Sequence, residues 1–107
     1  METMDKLQKN GIFLQYNDIE RICIKYDIKE LSLFGSSLRG DFSEDSDIDI
    51  LVSFNKNSEI TLFDIMDLER DFSELLKREV DVVEKESLKN PIRKNRILST
   101  REIIYAA

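Results

Sequence analysis

The sequence predicts an α+β fold in which a small mixed β-sheet carries helices packed on one face. Three observations support this prediction: apolar residues recur at helical spacing in separate segments, short apolar runs of strand length alternate with them, and the chain has only 107 residues. That length suits one small domain with a modest core. We therefore expect residues 1–107 to form a single domain, in which the pattern over residues 1–16 is too weak to assign.

Three helices are predicted from apolar residues that recur every three or four positions. They cover about residues 18–27, 61–77 and 91–98. The first begins where Asn17 and, three residues later, Glu20 have the form of a capping box. The last begins at Asn90-Pro91, which places proline at the first helical position. The apolar stripe of the second helix comprises Leu62, Ile65, Met66, Leu68, Phe72, Leu75 and Leu76.

Three strands are predicted, over residues 31–34, 47–54 and 80–83. The middle strand has the clearest alternation, since Ile48, Ile50 and Val52 share one face. Asp47 and Asp49 therefore share the other face. The apolar residues near the C-terminus, Ile103 to Tyr105, are too few to assign. Because the helices are expected on one side of the sheet, its open face is available for chemistry.

The amino-acid composition excludes several kinds of chemistry. The chain has no histidine, which removes Ser-His and Cys-His nucleophile pairs and the usual histidine ligands of zinc. Its one cysteine, Cys23, excludes an internal disulfide framework and lies on a predicted helical stripe, so we expect it in the core. No apolar run approaches membrane length and the N-terminus does not have the form of a signal peptide, so a cytoplasmic protein without membrane contact is expected.

Charge is distributed unevenly along the chain. The formal net charge is −6, which argues against direct nucleic-acid binding. Residues 1–84 carry 10 basic and 20 acidic side chains, whereas residues 85–107 carry 6 and 2. The basic segment contains Lys85, Lys89, Arg93, Lys94 and Arg96. It is interpreted either as a surface for an acidic partner or a triphosphate, or as an ordinary solvated helix face.

Two aspartates lie where a polar loop enters the strongest predicted strand. With 11 aspartates in the chain, a pair spaced like Asp47 and Asp49 is expected by chance, so its position in the fold carries the argument. Residues at i and i+2 of a strand lie about 6.5–7 Å apart on one face. Two carboxylates so placed can bracket a pair of metal ions. Mg²⁺ prefers oxygen ligands and keeps several waters, so such a site needs no histidine.

A third carboxylate and a glycine turn complete the candidate site. Asp81 interrupts the apolar residues of the last predicted strand, where a buried, unpaired carboxylate would be costly. It is expected either to join the other two aspartates or to face water on an edge strand. Gly35 and Ser36 end the strand before the polar loop. Glycine allows the backbone to approach a ligand closely, and the amide and hydroxyl of Ser36 can bind phosphate oxygens.

The segments 33–40 and 46–52 closely resemble the minimal nucleotidyltransferases of the DNA polymerase β superfamily. The signature is Gly-Ser followed, after ten residues, by Asp-x-Asp, and here it begins at Gly35 and Asp47. Residues 80–83 match the strand that carries the third carboxylate of that family. The resemblance implies a nucleotidyltransferase fold, ATP as a substrate and two bound Mg²⁺ ions.

The same resemblance implies a role for each matching residue. Asp47 and Asp49 bind the Mg²⁺ ions that hold the triphosphate, and Asp81 binds metal and helps to activate the acceptor hydroxyl. The implied nucleotide-binding residues are Gly35, Ser36, Ser37 and Arg39. Arg39 is close enough in sequence to stabilise charge on the leaving pyrophosphate. Many relatives have arginine at the position of Ser37.

The partner is also implied by the resemblance. Stand-alone members of this family typically act as antitoxins to HEPN-domain ribonuclease toxins, and transfer AMP from ATP to a tyrosine of the toxin. Two alternatives stay open. One is a non-catalytic module that neutralises its partner by covering it. The other is nucleotidyl transfer to a small molecule or to RNA.

Overall fold

The fold is known here from a computed structural model that describes residues 12–35 and 47–107. In chain order the elements are α1 (Tyr16–Lys25), β1 (Ile28–Phe34), β2 (Ile48–Phe54), α2 (Leu62–Leu76), β3 (Val80–Glu84), a 3₁₀ turn (Lys85–Ser87), α3 (Pro91–Thr100) and β4 (Glu102–Ala106). The predicted α+β fold is confirmed. Within these described ranges, no helix is both long and apolar enough to cross a membrane.

The four strands form one mixed sheet in the order β3-β2-β1-β4. Strand β1 is antiparallel to both β2 and β4, whereas β2 and β3 are parallel and are connected through α2. Strand β4 was not assigned from the sequence. This strand depends on its pairing with β1, in which Glu102 pairs with Leu33 and Tyr105 with Leu31. Such a non-local contact is not evident from the sequence of five residues alone.

The main core lies between one face of the sheet and the helices α1 and α2. The predicted inward face of β2 is confirmed, since Ile48, Ile50 and Val52 are fully buried. Ile12 and Leu14 are buried in the same cluster, so the end of the unassigned N-terminal segment contributes to the core. The other buried members of this cluster are Ile19, Ile22, Cys23, Tyr26, Ile28, Leu31, Leu33, Leu68, Phe72 and Val80.

A second, smaller cluster covers part of the opposite face of the sheet. It consists of the buried residues Phe34, Leu51, Leu88 and Ile97. Leu51 belongs to it because side chains alternate along β2, which turns Leu51 away from the main core. Ile97 is the buried residue of α3. The prediction that the helices pack on one face is therefore right for α1 and α2 and wrong for α3, which packs against the other face through Ile97.

The helix starts agree with the sequence in two cases out of three. The side chain of Thr61 and that of Asp64 form a reciprocal capping box at α2, and the side chain of Asn90 caps α3. The predicted capping box at Asn17 is wrong. The N-cap of α1 is Gln15, whose carbonyl accepts the first helical hydrogen bonds without help from its side chain.

The apolar stripe of α2 is buried only over part of its length. Leu68 and Phe72 are buried, but Leu62 and Met66 are 71% and 56% exposed, so their predicted burial is wrong. The exposed residues lie in the first turns of the helix, whereas the buried ones lie further along it, where the helix packs into the main core.

A hydrogen-bonded cluster joins α1 to α2 at the surface of the main core. The Tyr26 hydroxyl donates to Asp71 Oδ2 at 2.6 Å, and Lys25 Nζ donates to the same oxygen at 2.9 Å. Partial burial acts to raise the pKa of Asp71, but hydrogen bonds from Tyr26 and Lys25 and the positive charges of Lys25 and Arg70 bring it below its usual value. The charged form of Asp71 therefore stabilises the folded state.

Replacing Asp71 is expected to reveal this contribution through its pH dependence. Asp71→Asn should lower the free energy of unfolding by about 1 kcal/mol at pH 7. Because the folded-state pKa is depressed, the stabilisation is complete above the unfolded-state value of about 3.9 and is lost as the pH falls through the folded-state value. Urea unfolding between pH 7 and pH 3 measures it.

The matched control is Asp67→Asn on the same helix. Asp67 forms an exposed ion pair with Arg70, so its replacement should cost less than about 0.5 kcal/mol at any pH. A loss of stability for Asp71→Asn that stays constant from pH 7 to pH 3 would contradict the proposed role of the charge.

Candidate active site

Parallel pairing of β2 and β3 places two of the three predicted carboxylates side by side. Asp49 is the register partner of Asp81. Neighbouring strands lie about 4.8 Å apart and register partners point to the same face, so the two side chains are adjacent. Asp81 is exposed and Asp49 is partly buried. The pair therefore opens to solvent on the face of the sheet opposite the main core.

Gly35 lies directly against the carboxylate of Asp49. Its φ is +77°, a conformation that side chains other than glycine rarely adopt. A Cβ atom at this position would lie 3.4 Å from Asp49 Cγ and would collide with Oδ2. The sequence predicted a close approach of Gly35 to a ligand, and the structure places it beside a candidate ligand-binding carboxylate. The end of β1 and the start of β2 thus form one wall of the site.

Asp47 precedes β2 and is exposed. The strand start next to it is fixed to the neighbouring strand, because the Ile48 amide donates to the Glu79 carbonyl at 2.9 Å. Residues 12–35 and 47–107 contain no group of three or more His, Cys, Asp or Glu side chains that could hold a metal ion. The structure therefore brings Asp49 and Asp81 together as register partners, and Asp47 lies two residues before Asp49. The other predicted nucleotide-binding residues, Ser36, Ser37 and Arg39, lie outside the described residues.

The carboxylates that the structure brings together suit Mg²⁺ by their chemistry. Mg²⁺ takes oxygen ligands, is commonly held by one or two carboxylates and completes its shell with substrate phosphates and water. Asp49 and Asp81 provide these carboxylate ligands on adjacent strands. A ready-made group of three carboxylates is not required for such a site, so the arrangement fits a metal that arrives with a nucleotide.

An apolar wall stands immediately behind the carboxylate pair. Phe34 is the register partner of Asp49, and Leu51 and Val83 each follow an aspartate by two residues on the same face. All three belong to the second cluster, where they meet Ile97 of α3. Sequence analysis did not assign a role to Phe34 or Val83. Their signal was their alternation with core residues, which places them on the face of the aspartates.

The outer edge of β3 is held by a side chain from α2. The amide of Val82 donates to Glu69 Oε2 at 3.2 Å, which satisfies one backbone donor next to Asp81. Glu69 was also missed in the sequence. Its signal was a carboxylate between Ile65 and Phe72, at spacings of four and three residues, within an otherwise apolar stripe. This contact fixes the strand that carries Asp81.

The basic segment is divided between ion pairing and exposure. Lys85 Nζ lies 3.7 Å from Glu30 Oε1, and Arg101 pairs with the same carboxylate oxygen. Three further cations, Arg93, Lys94 and Arg96, are exposed on α3. Lys85 therefore has a structural partner in Glu30. For the exposed cations of α3, both interpretations from the sequence still apply: a surface for an acidic partner or a triphosphate, and an ordinary solvated helix face.

Two other features of the described residues are poor candidates for catalysis. Burial, with a smaller effect from the charge of Glu20, raises the pKa of the Cys23 thiol to about 12, so Cys23 is a core residue rather than a nucleophile. A groove of about 400 Å³ between α1 and α2 is lined by Arg21, Ile22, Lys25, Asp71, Glu74 and Leu75. It lies on the helical side of the sheet, away from Asp49 and Asp81.

The chain resembles known proteins over most of its length. A family model described as "Nucleotidyltransferase domain" matches residues 17–104. The chain is 40% identical over 81 residues to protein adenylyltransferase MntA of Thermococcus cleftensis, and the match covers 76% of this chain and 77% of that protein.

Two solved structures have a similar fold. A crystal structure of a toxin-antitoxin with AMP-PNP matches with a TM-score of 0.70 at 21% identity, covering 88% of this chain and 75% of the matched chain. A structure of tri-AMPylated Shewanella oneidensis HEPN toxin in complex with MNT antitoxin matches with a TM-score of 0.62 at 19% identity, covering 94% and 73%. At these identities the two structures support the fold.

The contact between Gly35 and Asp49 leads to a prediction about stability. Gly35→Ala is expected to lower the free energy of unfolding by about 1–3 kcal/mol, because the methyl group meets the Asp49 carboxylate and alanine resists the positive φ. Urea unfolding of the single variants and of the double variant with Asp49→Ala separates these causes. Removal of the carboxylate should relieve the collision and leave only the backbone strain. An equal cost of Gly35→Ala in both backgrounds would show that the collision is not the cause.

Proposed function

The chain belongs to the nucleotidyltransferase domain family, among its minimal members, and we propose that it is a Mg²⁺-dependent protein adenylyltransferase that acts as an antitoxin. It transfers AMP from ATP to a hydroxyl, that of a tyrosine, on a partner HEPN-domain ribonuclease. The observation that carries this proposal is the pairing of Asp49 with Asp81 beside Gly35. That arrangement offers two adjacent carboxylates next to a backbone turn that can approach a phosphate closely.

The proposed reaction is a displacement at the α-phosphorus of ATP. The acceptor hydroxyl oxygen forms a bond to the α-phosphorus, and the bond from that phosphorus to the bridging oxygen of pyrophosphate breaks. The hydroxyl proton leaves toward the Asp81 carboxylate, and pyrophosphate departs with the bonding electron pair. Bound Mg²⁺ would supply positive charge to the phosphate oxygens. The apolar wall formed by Phe34 and Leu51 limits water on one side of the reacting atoms.

The proposed residue roles follow the family signature. Asp47 and Asp49 hold the metal ions that carry the triphosphate, and Asp81 serves both metal and acceptor. Asp47 lies within reach of this role because it is two residues before Asp49. The remaining nucleotide contacts are assigned to Gly35, Ser36, Ser37 and Arg39.

The proposed partner is supported by proteins that resemble this chain. The Thermococcus cleftensis relative is named for protein adenylyl transfer, and the Shewanella oneidensis structure combines an AMPylated HEPN toxin with its MNT antitoxin. An acceptor on a separate protein also agrees with the solvent-facing position of Asp81.

Intact mass spectrometry tests the proposed activity directly. The chain is incubated with Mg-ATP and the proposed HEPN-domain partner, and the partner is then weighed. The expected result is a mass increase by one or more adenylyl groups, which disappears when EDTA removes the metal. An unchanged partner mass, with partner binding intact, would count against transfer to protein.

Asp49→Asn separates catalysis from simple covering of the partner. We expect at least a roughly hundredfold loss of transfer rate, because one of the two adjacent carboxylates loses its charge, with partner affinity retained. The masking alternative predicts that Asp49→Asn still neutralises the ribonuclease. Asp18→Asn, at a partly exposed aspartate paired with Arg21 on α1, is the control and should leave both measurements unchanged.

A further inference from the structure

The first turns of α2 carry an exposed apolar patch made of Leu62, Phe63 and Met66. These side chains are 71%, 76% and 56% exposed. Met66 lies four residues after Leu62 and three after Phe63, so the three adjoin on the helix surface. Contiguous apolar surface of this kind on a small protein marks an interaction site. We propose that the patch is the docking surface for the basic ribonuclease partner, an identity that rests on the proposed function.

The patch is held rigid before any partner arrives. The capping box fixes the first turn of α2, since the Thr61 amide donates to Asp64 Oδ2 at 2.9 Å and the Asp64 amide donates to Thr61 Oγ1 at 3.3 Å. Further along the helix, Leu68 and Phe72 anchor it in the main core. A preformed surface loses little conformational entropy on binding, so its apolar contacts contribute more fully to affinity.

Acidic side chains surround the patch in sequence. Residues 59–70 contain Glu59, Asp64, Asp67 and Glu69 against a single cation, Arg70. A second copy of this chain docking patch to patch would bring Glu59 and Asp67 of the two copies close together, which is unfavourable. A partner with an apolar pocket bordered by lysine and arginine fits instead. A ribonuclease meets this requirement, because binding RNA phosphates requires a basic surface.

The patch and the carboxylates that carry the proposed chemistry belong to opposite faces of the sheet. Helix α2 packs against the face that carries the main core, whereas Asp49 and Asp81 lie on the other face. Docking and transfer are therefore separate contacts. Loss of the patch should weaken partner binding and raise the KM for the partner without changing kcat at saturating partner.

The test compares a double variant, Phe63→Ser with Met66→Ser, with a matched control, Ile24→Ser. Ile24 is 68% exposed on α1 and lies outside the patch. Isothermal titration calorimetry with the proposed HEPN-domain partner should show at least a roughly tenfold loss of affinity for the double variant and none for the control. Transfer rates should show a similar rise in KM with unchanged kcat. The affinity of each variant for Mg-ATP should equal that of the unmodified chain.

A charge variant tests the acidic border independently. Glu59→Lys with Asp67→Lys should slow association with the partner and flatten its dependence on salt concentration, because both charges attract a basic surface. Unchanged association in this variant would overturn the assignment of a basic partner surface.

The outcomes distinguish the docking inference from the proposed activity. If the partner binds through the patch but receives no adenylyl group, the proposed activity is wrong and the docking surface stands. If the double variant transfers AMP to the partner with an unchanged KM, the docking surface is wrong and the proposed activity stands. A partner that does not bind the unmodified chain would overturn both.

Discussion

The parallel pairing of β2 with β3 is the contact on which the candidate site depends. It sets the register that makes Asp49 and Asp81 neighbours, and it can form only because α2 carries the chain back between the two strands. The antiparallel pairing of β1 then brings Gly35 against the same carboxylate. Three strand ends from distant parts of the chain meet at one point, and each is fixed by backbone hydrogen bonds rather than by a flexible loop.

The two faces of the sheet have different roles: one carries most of the core, and the other carries the candidate site. The face packed by α1 and α2 holds the larger apolar cluster, whereas the face bearing Asp49 and Asp81 holds a small one. Burial of the smaller cluster stops short of the aspartates, so a charged pair lies at the boundary between apolar side chains and water. Oxygen ligands in that position stay accessible to a nucleotide while their backbone is held by the sheet.

Local patterns predicted much of this structure, and the errors have physical causes. The strand at β2 was evident because its alternation is strong, and the start of α3 because Asn90 and Pro91 act within one turn. Strand β4 depends on pairing with β1, which sequence periodicity does not contain. The exposure of Leu62 could not be predicted, because periodicity gives the direction of a side chain but not which turns of a helix meet the core. The pairing of Asp49 with Asp81 is likewise a matter of register.

The hydrogen bond from Val82 to Glu69 also affects the outer side of β3. Among the strands of the described residues β3 lies at an edge, and the amides of an edge can template pairing with a strand from another chain. Any such strand would have to displace Glu69 and leave its carboxylate without this donor. One glutamate on α2 therefore blocks growth of the sheet past β3, at the strand where an added neighbour would crowd Asp81.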